Sequence, residues 1–319
     1  MTCVIRIGRA AAFLGAAASG FSTTTALAHG YAGKRFFPAT ITNDDPFVAD
    51  ELSLPTASWF ENGERPAQGE TDVSAEFSKR ILDNLGISFE ETWTHLDRRN
   101  EQNKSGFQNL ETTLKYQFFT DAEHEAIVSA GLGVEWGDTG ARKVGAESFS
   151  VLTPTVFFGK GAGDLPDDVA WLRPFAITGL VGYAVPTDER HTTRSVNEDT
   201  GEFEREVEKH AQSVVYGFSL EYSLPYLQAN VRDVGLPSFA NRFIPLVEFS
   251  FETPVQHAQG EGTTAFVNPG VLWIGQYFQV GAEAVVPLNR ETGTGVGVIG
   301  QLHFYLDDLF PTTIGKPIF

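Results

Sequence analysis

The sequence predicts an all-β fold, a transmembrane antiparallel up-and-down β-barrel of about 12 strands. Three observations support this prediction. Short runs place an apolar residue at every second position, the connections between runs alternate between long and short, and the N-terminus is typical of an exported protein. An exported soluble barrel or sandwich is the alternative, because a sheet with one solvated face shows the same alternation.

The alternation is clearest in the last two runs. In the first of them, Phe278, Val280 and Ala282 alternate with Gln279 and Gly281. Successive side chains of a strand point to opposite faces, so one face of this run is apolar and the other is polar or small. Runs of this kind lie at 52–60, 72–81, 86–96, 107–118, 125–136, 148–158, 171–185, 213–224, 242–252, 266–274, 277–288 and 296–306.

The connections after odd-numbered runs are long, and most of those after even-numbered runs are short. The long ones are 61–71, 97–106, 137–147, 186–212 and 255–264, and the short ones are 82–85, 120–124 and 275–276. Outer-membrane barrels combine short periplasmic turns with long outer loops. Two connections expected on the periplasmic side, 159–170 and 225–241, are too long for this rule, and the second is expected to form a short amphipathic helix.

The ends of the chain are expected to lie outside the barrel wall. Residues 1–28 have the basic start, apolar run and small-residue site of a secretory signal peptide, cleaved after Ala28. Residues 29–51 are expected to form a leader, either at the periplasmic mouth or folded into the lumen. The barrel is assigned to 52–306 and a periplasmic tail to 307–319. An N-terminal His29 would be able to chelate copper, but no second histidine lies nearby in the sequence, and no metal site is predicted.

The composition excludes several classes of function. The formal charge of the 319 residues is −18, which argues against binding to nucleic acid or to anionic surfaces. The one cysteine is Cys3, inside the predicted signal peptide, so the mature chain is expected to have neither a disulfide nor a cysteine-ligated metal. No phosphate-binding loop or metal-ligand spacing appears, and no cofactor is predicted.

Several stretches resemble uncharacterised exported barrel proteins of Gram-negative bacteria. They are 33–40, 44–55, 241–249 and 302–308. The chain as a whole is loosely similar to the porin-like barrels of phenol meta-cleavage pathways that are called transporters. This resemblance implies an outer-membrane location and passage of small molecules, and it assigns no site residues.

The expected partners follow from that location. They are outer-membrane lipid, lipopolysaccharide and a small-molecule solute. The terminal Phe319 resembles the signature by which the barrel-assembly machinery recognises its clients, although Pro311, Gly315 and Pro317 interrupt the expected alternation.

Carboxylates dominate the polar faces of the predicted strands. If water fills the interior, they favour cations over anions, as acidic rings do in cation channels. A filled interior in which the acids pair with the few bases is the alternative. His303 is expected to lie near Glu283. The candidate lumen-lining residues are Glu76, Glu90, Glu111, Lys115, Glu135, Glu221, Glu248, Glu283 and His303.

The sequence therefore predicts an outer-membrane barrel that passes small solutes, either cations or small hydrophobic molecules. A barrel without transport, acting through its long outer loops, is the alternative from another class. A barrel-embedded hydrolase is a third, less favoured because no serine is placed by spacing beside His95, His124 or His303.

Overall fold

A computed structural model describes residues 30–62, 68–98, 102–188, 190–196, 203–258, 260 and 262–319. The predicted signal peptide, its cleavage site and His29 lie outside these residues. In chain order the strands are β1 (Tyr31–Ala32), β2 (Arg35–Phe36), β3 (Glu51–Asn62), β4 (Gln68–Leu82), β5 (Leu85–Arg98), β6 (Lys104–Phe107), β7 (Glu111–Asp121), β8 (Ala126–Glu135), β9 (Val151–Gly161), β10 (Phe175–Pro186), β11 (Arg190–Val196), β12 (Phe203–Lys209), β13 (Gln212–Tyr222), β14 (Phe243–Gln256), β15 (Thr264–Ile274), β16 (Phe278–Pro287) and β17 (Gly297–Tyr305).

Twelve of these strands form a closed antiparallel barrel, which confirms the predicted fold class. Each barrel strand pairs with its neighbour along the chain, and β17 closes the sheet by pairing with β3. One end of β5 pairs with β7 and the other with the short β6, so β6 and β7 act as one interrupted strand. The pair β11–β12 forms a separate hairpin within the predicted long connection 186–212.

The barrel exposes apolar side chains and buries polar ones. The outward-facing Val181 and Val298 are 52% and 57% exposed, whereas the inward-facing Ser129 and Ser219 are fully buried. The period-2 alternation of the sequence sets this division, because neighbouring side chains on a strand leave opposite faces of the sheet. A soluble β-sandwich has the reverse arrangement, with its large apolar side chains packed inside.

The two ends of the barrel differ in their connections. The short-turn end carries the β4–β5, β7–β8, β9–β10, β13–β14 and β15–β16 connections, and the long-loop end carries the others. The two longer connections at the short-turn end contain helical turns, Asp167–Leu172 in one and Leu224–Tyr226, Leu227–Val231 and Ala240–Arg242 in the other. No helix in the described part of the chain is long and apolar enough to cross a membrane.

The C-terminal tail folds against the short-turn end of β4. Leu306–Leu309 forms a helical turn, and the backbone N–H groups of Ile318 and Phe319 donate to the carbonyls of Arg80 and Ile81. Leu306, the last residue of the predicted run 296–306, lies outside the strand and is buried, because β17 ends at Tyr305 and the chain turns at this point.

Candidate functional site

Residues 30–50, here called the inner segment, lie inside the barrel. Most of their side chains are buried, and their hydrogen-bond partners belong to the inward faces of strands on different sides of the wall. Only the short pair β1–β2 within it is a strand, and neither of these two joins the barrel sheet. The inner segment is therefore held by side chains of the wall and not by strand pairing.

Apolar residues on the inward face hold the inner segment at the short-turn end. Phe37 and Phe47 pack with Ile127, and their rings lie 5.7 Å apart between centroids. Ile41 packs with Ile244, Leu246 and Leu272. Ile127, Ile244, Leu246 and Leu272 face inward near strand ends. They make this end of the interior more apolar than the sequence predicted. Burying each large apolar side chain contributes about 1.5–3 kcal/mol.

Glu248 is the main polar anchor of the inner segment. One carboxylate oxygen accepts hydrogen bonds from the backbone N–H groups of Ile41 (2.8 Å) and Thr42 (3.2 Å). The other accepts from the backbone N–H of Asn43, from its side-chain amide and from the hydroxyl of Ser219. Five hydrogen-bond donors therefore converge on this one buried carboxylate.

Glycine makes room for this anchor on the neighbouring strand. A Cβ atom on Gly217 of β13 would fall 1.9 Å from the side-chain oxygen of Asn43. Any larger residue at position 217 would displace Asn43 from Glu248. Close approach of this kind is the reason for a glycine within a strand.

Thr42 connects the same turn to two further strands of the wall. Its hydroxyl donates to Glu283 (3.1 Å) and accepts from the side-chain amide of Asn268 (2.7 Å). Glu283 is on β16 and Asn268 is on β15, so the turn 41–43 is in contact with three consecutive strands of the wall.

The opposite wall holds the inner segment with a lysine. Lys115 on β7 donates to the carboxylate of Asp44 (2.9 Å) and to the backbone carbonyl of Asp45 (2.8 Å). Burial raises the pKa of the Asp45 side chain to about 7; Lys115 lowers it, while Glu51 and Asp44 raise it further. Asp45 therefore takes up a proton more readily in this position than in water.

Asp50 fixes the end of the inner segment where it enters β3. Its buried carboxylate accepts from Arg80 Nε at 2.7 Å, from the backbone N–H of Arg80 at 2.8 Å and from Lys79 Nζ. Arg80 and Lys79 also donate to carbonyls of the C-terminal tail, among them that of Gly315. The inner segment and the tail thus share the same two basic residues.

Arg35 fixes the other end of the inner segment against three connections at the short-turn end. Its Nε lies 3.1 Å from Glu125, and its guanidinium also donates to the backbone carbonyls of Arg173 and Pro174. It stacks 3.8 Å from the ring centre of Tyr226, whose hydroxyl donates to Glu125. Burial and this hydrogen bond raise the pKa of Tyr226 to about 12.

A loop enters the barrel from the long-loop end as well. Asn109 donates to Glu135 and to the backbone carbonyl of Glu147, and Gln108 donates to Thr94 and to the carbonyl of Val144. Val144 is buried. The β8–β9 loop is therefore packed on the inward side of β5, β6 and β7, opposite the end filled by the inner segment.

Four of the predicted interior acids form a row across adjacent strands. Glu76 is directly opposite Glu90, Glu90 is opposite Glu111, and Glu111 is opposite Glu135 in the strand register. Directly paired residues point to the same face. We call these four residues the carboxylate row.

The remaining predicted interior residues are distributed over other walls. Glu221 accepts from Thr178 at 3.4 Å, and Glu248, Glu283 and Lys115 hold the inner segment as described. His303 is opposite Gln279, whereas Glu283 is opposite Ile299, so the expected contact between His303 and Glu283 is wrong. The register between β16 and β17 places His303 four residues from Ile299, the residue paired with Glu283.

Two serines lie beside histidines, which spacing in the sequence did not indicate. Ser53 Oγ lies 2.9 Å from His303 Nδ1 inside the barrel, and Ser105 Oγ lies 2.7 Å from His95 Nδ1. Each pair joins two neighbouring strands, and strand pairing cannot be read from spacing alone. Within the described residues, no group of three His, Cys, Asp or Glu side chains is placed to hold a metal ion.

Comparison with solved structures places this fold among outer-membrane barrels. The COG4313 outer membrane channel from Pseudomonas putida F1 is similar with a TM-score of 0.53 and 11% identity, over 85% of this chain and 99% of that one. The NanC porin is similar with a TM-score of 0.46 and 8% identity, over 79% and 98% of the two chains. The beta domain of the Bordetella autotransporter BrkA gives 0.46 and 11%, over 81% and 99%.

Of these three structures, the COG4313 channel has a TM-score above 0.5. Its similarity confirms the predicted resemblance to outer-membrane barrels at the level of the fold. The likeness to barrels of phenol pathways stays a prediction. No protein-family model matches the sequence, and no curated protein matches it.

Proposed function

We propose that this protein is an outer-membrane channel for small solutes whose lumen is closed by its own inner segment. The observation that carries the proposal is the way residues 30–50 are held. They occupy the interior through side-chain contacts with Glu248, Lys115 and Arg80, while the 12 barrel strands pair without them. The segment can therefore leave without breaking a strand-to-strand hydrogen bond of the barrel.

The outward-facing side chains support the membrane location. Apolar residues of the wall such as Val181, Val298 and Leu220 are exposed, as required where strands face lipid. In hydrocarbon all backbone polar groups must be paired, and a closed barrel achieves this. The similar fold of an outer membrane channel agrees with this location.

A barrel without transport is the second candidate function. The observation in its favour is that the interior is occupied from both ends, by the inner segment and by the β8–β9 loop. On that proposal the inner segment is a permanent part of the core, and the long loops carry the function.

Cross-linking the inner segment to the wall distinguishes the two candidates. Thr42 and Asn268 are in side-chain contact at 2.7 Å, so cysteines at these positions can be joined by a short bismaleimide. We expect the double variant Thr42→Cys/Asn268→Cys to conduct in planar bilayers before cross-linking and to stop conducting after it. Each single-cysteine variant treated with the same reagent is the control.

Two results contradict the proposal. Conductance that is unchanged by complete cross-linking would show that ions bypass the inner segment. Silence of the folded wild-type barrel at all voltages would favour the barrel without transport.

A further inference from the structure

Aromatic rings gather on the outward face of the wall at the short-turn end. Phe243 on β14 is directly opposite Trp273 on β15, and Trp273 is opposite Val280 on β16, so these three side chains leave the same face of the sheet. Phe278 packs against Trp273, with 5.7 Å between the ring centres. Val280 is exposed. This face is therefore continuous with the apolar outward surface of the barrel.

The β13–β14 connection adds a ring to this face. The ring centre of Phe239 lies 5.6 Å from that of Trp273 and 5.5 Å from that of Phe243. The indole N–H of Trp273 donates to the backbone carbonyl of Phe239 at 3.2 Å. Phe239 is nevertheless 64% exposed, so its ring extends the apolar face past the end of the strands. Phe239, Phe243, Trp273 and Phe278 are here called the aromatic cluster.

Arg242 places a positive charge beside the aromatic cluster. Its guanidinium carbon lies 5.6 Å from the ring centre of Trp273, and its Nη1 donates to the backbone carbonyl of Ile274 at 3.3 Å. The residue is exposed, and no carboxylate among the described residues pairs with it. A guanidinium has five N–H groups, so most of those on Arg242 are available to an acceptor from outside the chain.

A second exposed aromatic residue at the same end lacks such a cation. Trp171 is 62% exposed, and its backbone carbonyl accepts from the hydroxyl of Tyr222 at 3.3 Å. The arginine of its connection, Arg173, is already bonded to Asp167 and to the carbonyl of Leu165. Apolar surface and an unpaired cation therefore coincide at Arg242 and not at Trp171.

We propose that Arg242 and the aromatic cluster bind a glycerophospholipid, with its phosphate on the arginine and its acyl chains along the exposed Val271 and Val280. A guanidinium binds phosphate oxygens through parallel N–H···O bonds, and aromatic side chains favour the level of the headgroups. Short turns of outer-membrane barrels face the periplasm, where the leaflet consists of phospholipid. The proposal uses the outer-membrane location and is independent of the channel function.

Native mass spectrometry of the full-length protein in detergent measures the binding. The probes are dioleoylphosphatidylglycerol, dioleoylglycerol, which lacks the phosphate, and glycerol phosphate, which lacks the acyl chains. We expect the phospholipid to bind saturably and the other two probes to bind at least about tenfold more weakly. Equal binding of dioleoylglycerol would show apolar adsorption alone and overturn the phosphate contact. Equal binding of glycerol phosphate would show a small-anion site and overturn the lipid assignment.

Substitution of the arginine tests its role. Arg242→Gln should weaken phospholipid binding about tenfold, because charge-assisted hydrogen bonds are lost. Arg242→Lys keeps the charge without the parallel hydrogen bonds and should have an intermediate effect. Arg232→Gln in the same connection and Glu123→Gln in the β7–β8 turn change exposed charges and should leave the affinity unchanged. An affinity that is unchanged in Arg242→Gln, or that falls equally in Arg232→Gln, overturns the proposal.

Fluorescence quenching in vesicles locates the site independently of affinity. Subtracting the emission of Trp273→Phe from that of the wild type leaves the emission of Trp273. We expect a phospholipid brominated near the carbonyl end of its acyl chains to quench this difference. A difference emission that is not quenched would place Trp273 away from lipid and refute the site.

The same protein preparations separate this proposal from the channel function. A barrel that is silent in planar bilayers but binds phospholipid through Arg242 refutes the channel and supports the lipid site. A conducting barrel whose phospholipid affinity does not depend on Arg242 refutes the lipid site and leaves the channel.

Discussion

Glu248 and Asn43 are joined by two hydrogen bonds, one from the backbone N–H of Asn43 at 2.8 Å and one from its side-chain amide at 2.9 Å. This contact attaches the turn of the inner segment to the barrel wall at a fully buried position. It therefore contributes to the free energy that holds the inner segment inside the barrel.

Replacing Glu248 with glutamine should loosen the inner segment. The neutral amide has one accepting oxygen in place of two charged ones, so several of the five donors lose their partner. We expect a loss of about 2 kcal/mol from the free energy that holds the turn 41–43. Hydrogen exchange measured by mass spectrometry should then be about 30-fold faster in this turn. Exchange as slow as in the control Glu123→Gln would show that Glu248 does not hold the segment.

Breaking the ion pair between Arg35 and Glu125 should be more costly than removing both charges. In Arg35→Met the buried carboxylate of Glu125 loses its cation, and we expect a destabilisation of about 3–5 kcal/mol. The double variant Arg35→Met/Glu125→Gln leaves no unpaired charge and should recover much of this loss. Urea unfolding of the barrel in detergent measures both. A double variant that is less stable than Arg35→Met would contradict this account of the pair.

Raising the pH should release the inner segment. The pKa of Asp45 is about 7 in its buried position, against an ordinary value of 3.8. The buried position therefore binds a proton more tightly, so protonation of Asp45 stabilises the inner segment inside the barrel. This contribution is complete below about pH 4 and is lost as the pH rises to about 7. Asp44, Glu51 and Lys115 are the charged groups that face Asp45.

Hydrogen exchange of residues 39–49 between pH 4.5 and 7.5, corrected for the intrinsic pH dependence of exchange, measures this release. We expect protection to fall across the range in the wild type and to stay nearly constant in Asp45→Asn, which has no titrating group at this position. Asp138→Asn changes an exposed acid of the β8–β9 loop and should behave as the wild type. A wild-type profile that is flat with pH would refute the role of Asp45.

An arginine on the outward face should impair insertion into lipid. Val181 lies in the middle of β10 and is 52% exposed. Val181→Arg should destabilise the folded barrel in vesicles by about 2–4 kcal/mol if this position faces the bilayer midplane. Val234→Arg, at a 50% exposed position in the β13–β14 connection, should change it by less than about 0.5 kcal/mol. Equal effects of the two changes would indicate that Val181 faces water.

The barrel could be predicted from the sequence because alternation and connection length are local properties. Each of the twelve predicted runs overlaps an observed barrel strand, and the boundaries differ by a few residues. The run 107–118 is the largest difference. It is divided into β6 and β7 because Gln108 and Asn109 turn their side chains to the β8–β9 loop.

The contents of the interior could be predicted only in part. The alternation placed the acids on the inward face, but pairings such as Lys115 with Asp44 or Arg35 with Glu125 join residues 71 and 90 positions apart. Spacing carries no information on such contacts. One signal was available: Ile127, Ile244 and Leu272 are large apolar residues in phase with the polar face, which indicates that something apolar fills that end of the barrel.

The backbone carbonyl of Asp50 accepts hydrogen bonds from the N–H groups of Leu306 and Asp307, just past the last strand. The seam between the first and last strands of the barrel, β3 and β17, therefore closes beside the residue at which the inner segment ends. We therefore expect closure of this seam during folding to be coupled to the placement of residues 30–50 in the interior, because both depend on the backbone at Asp50.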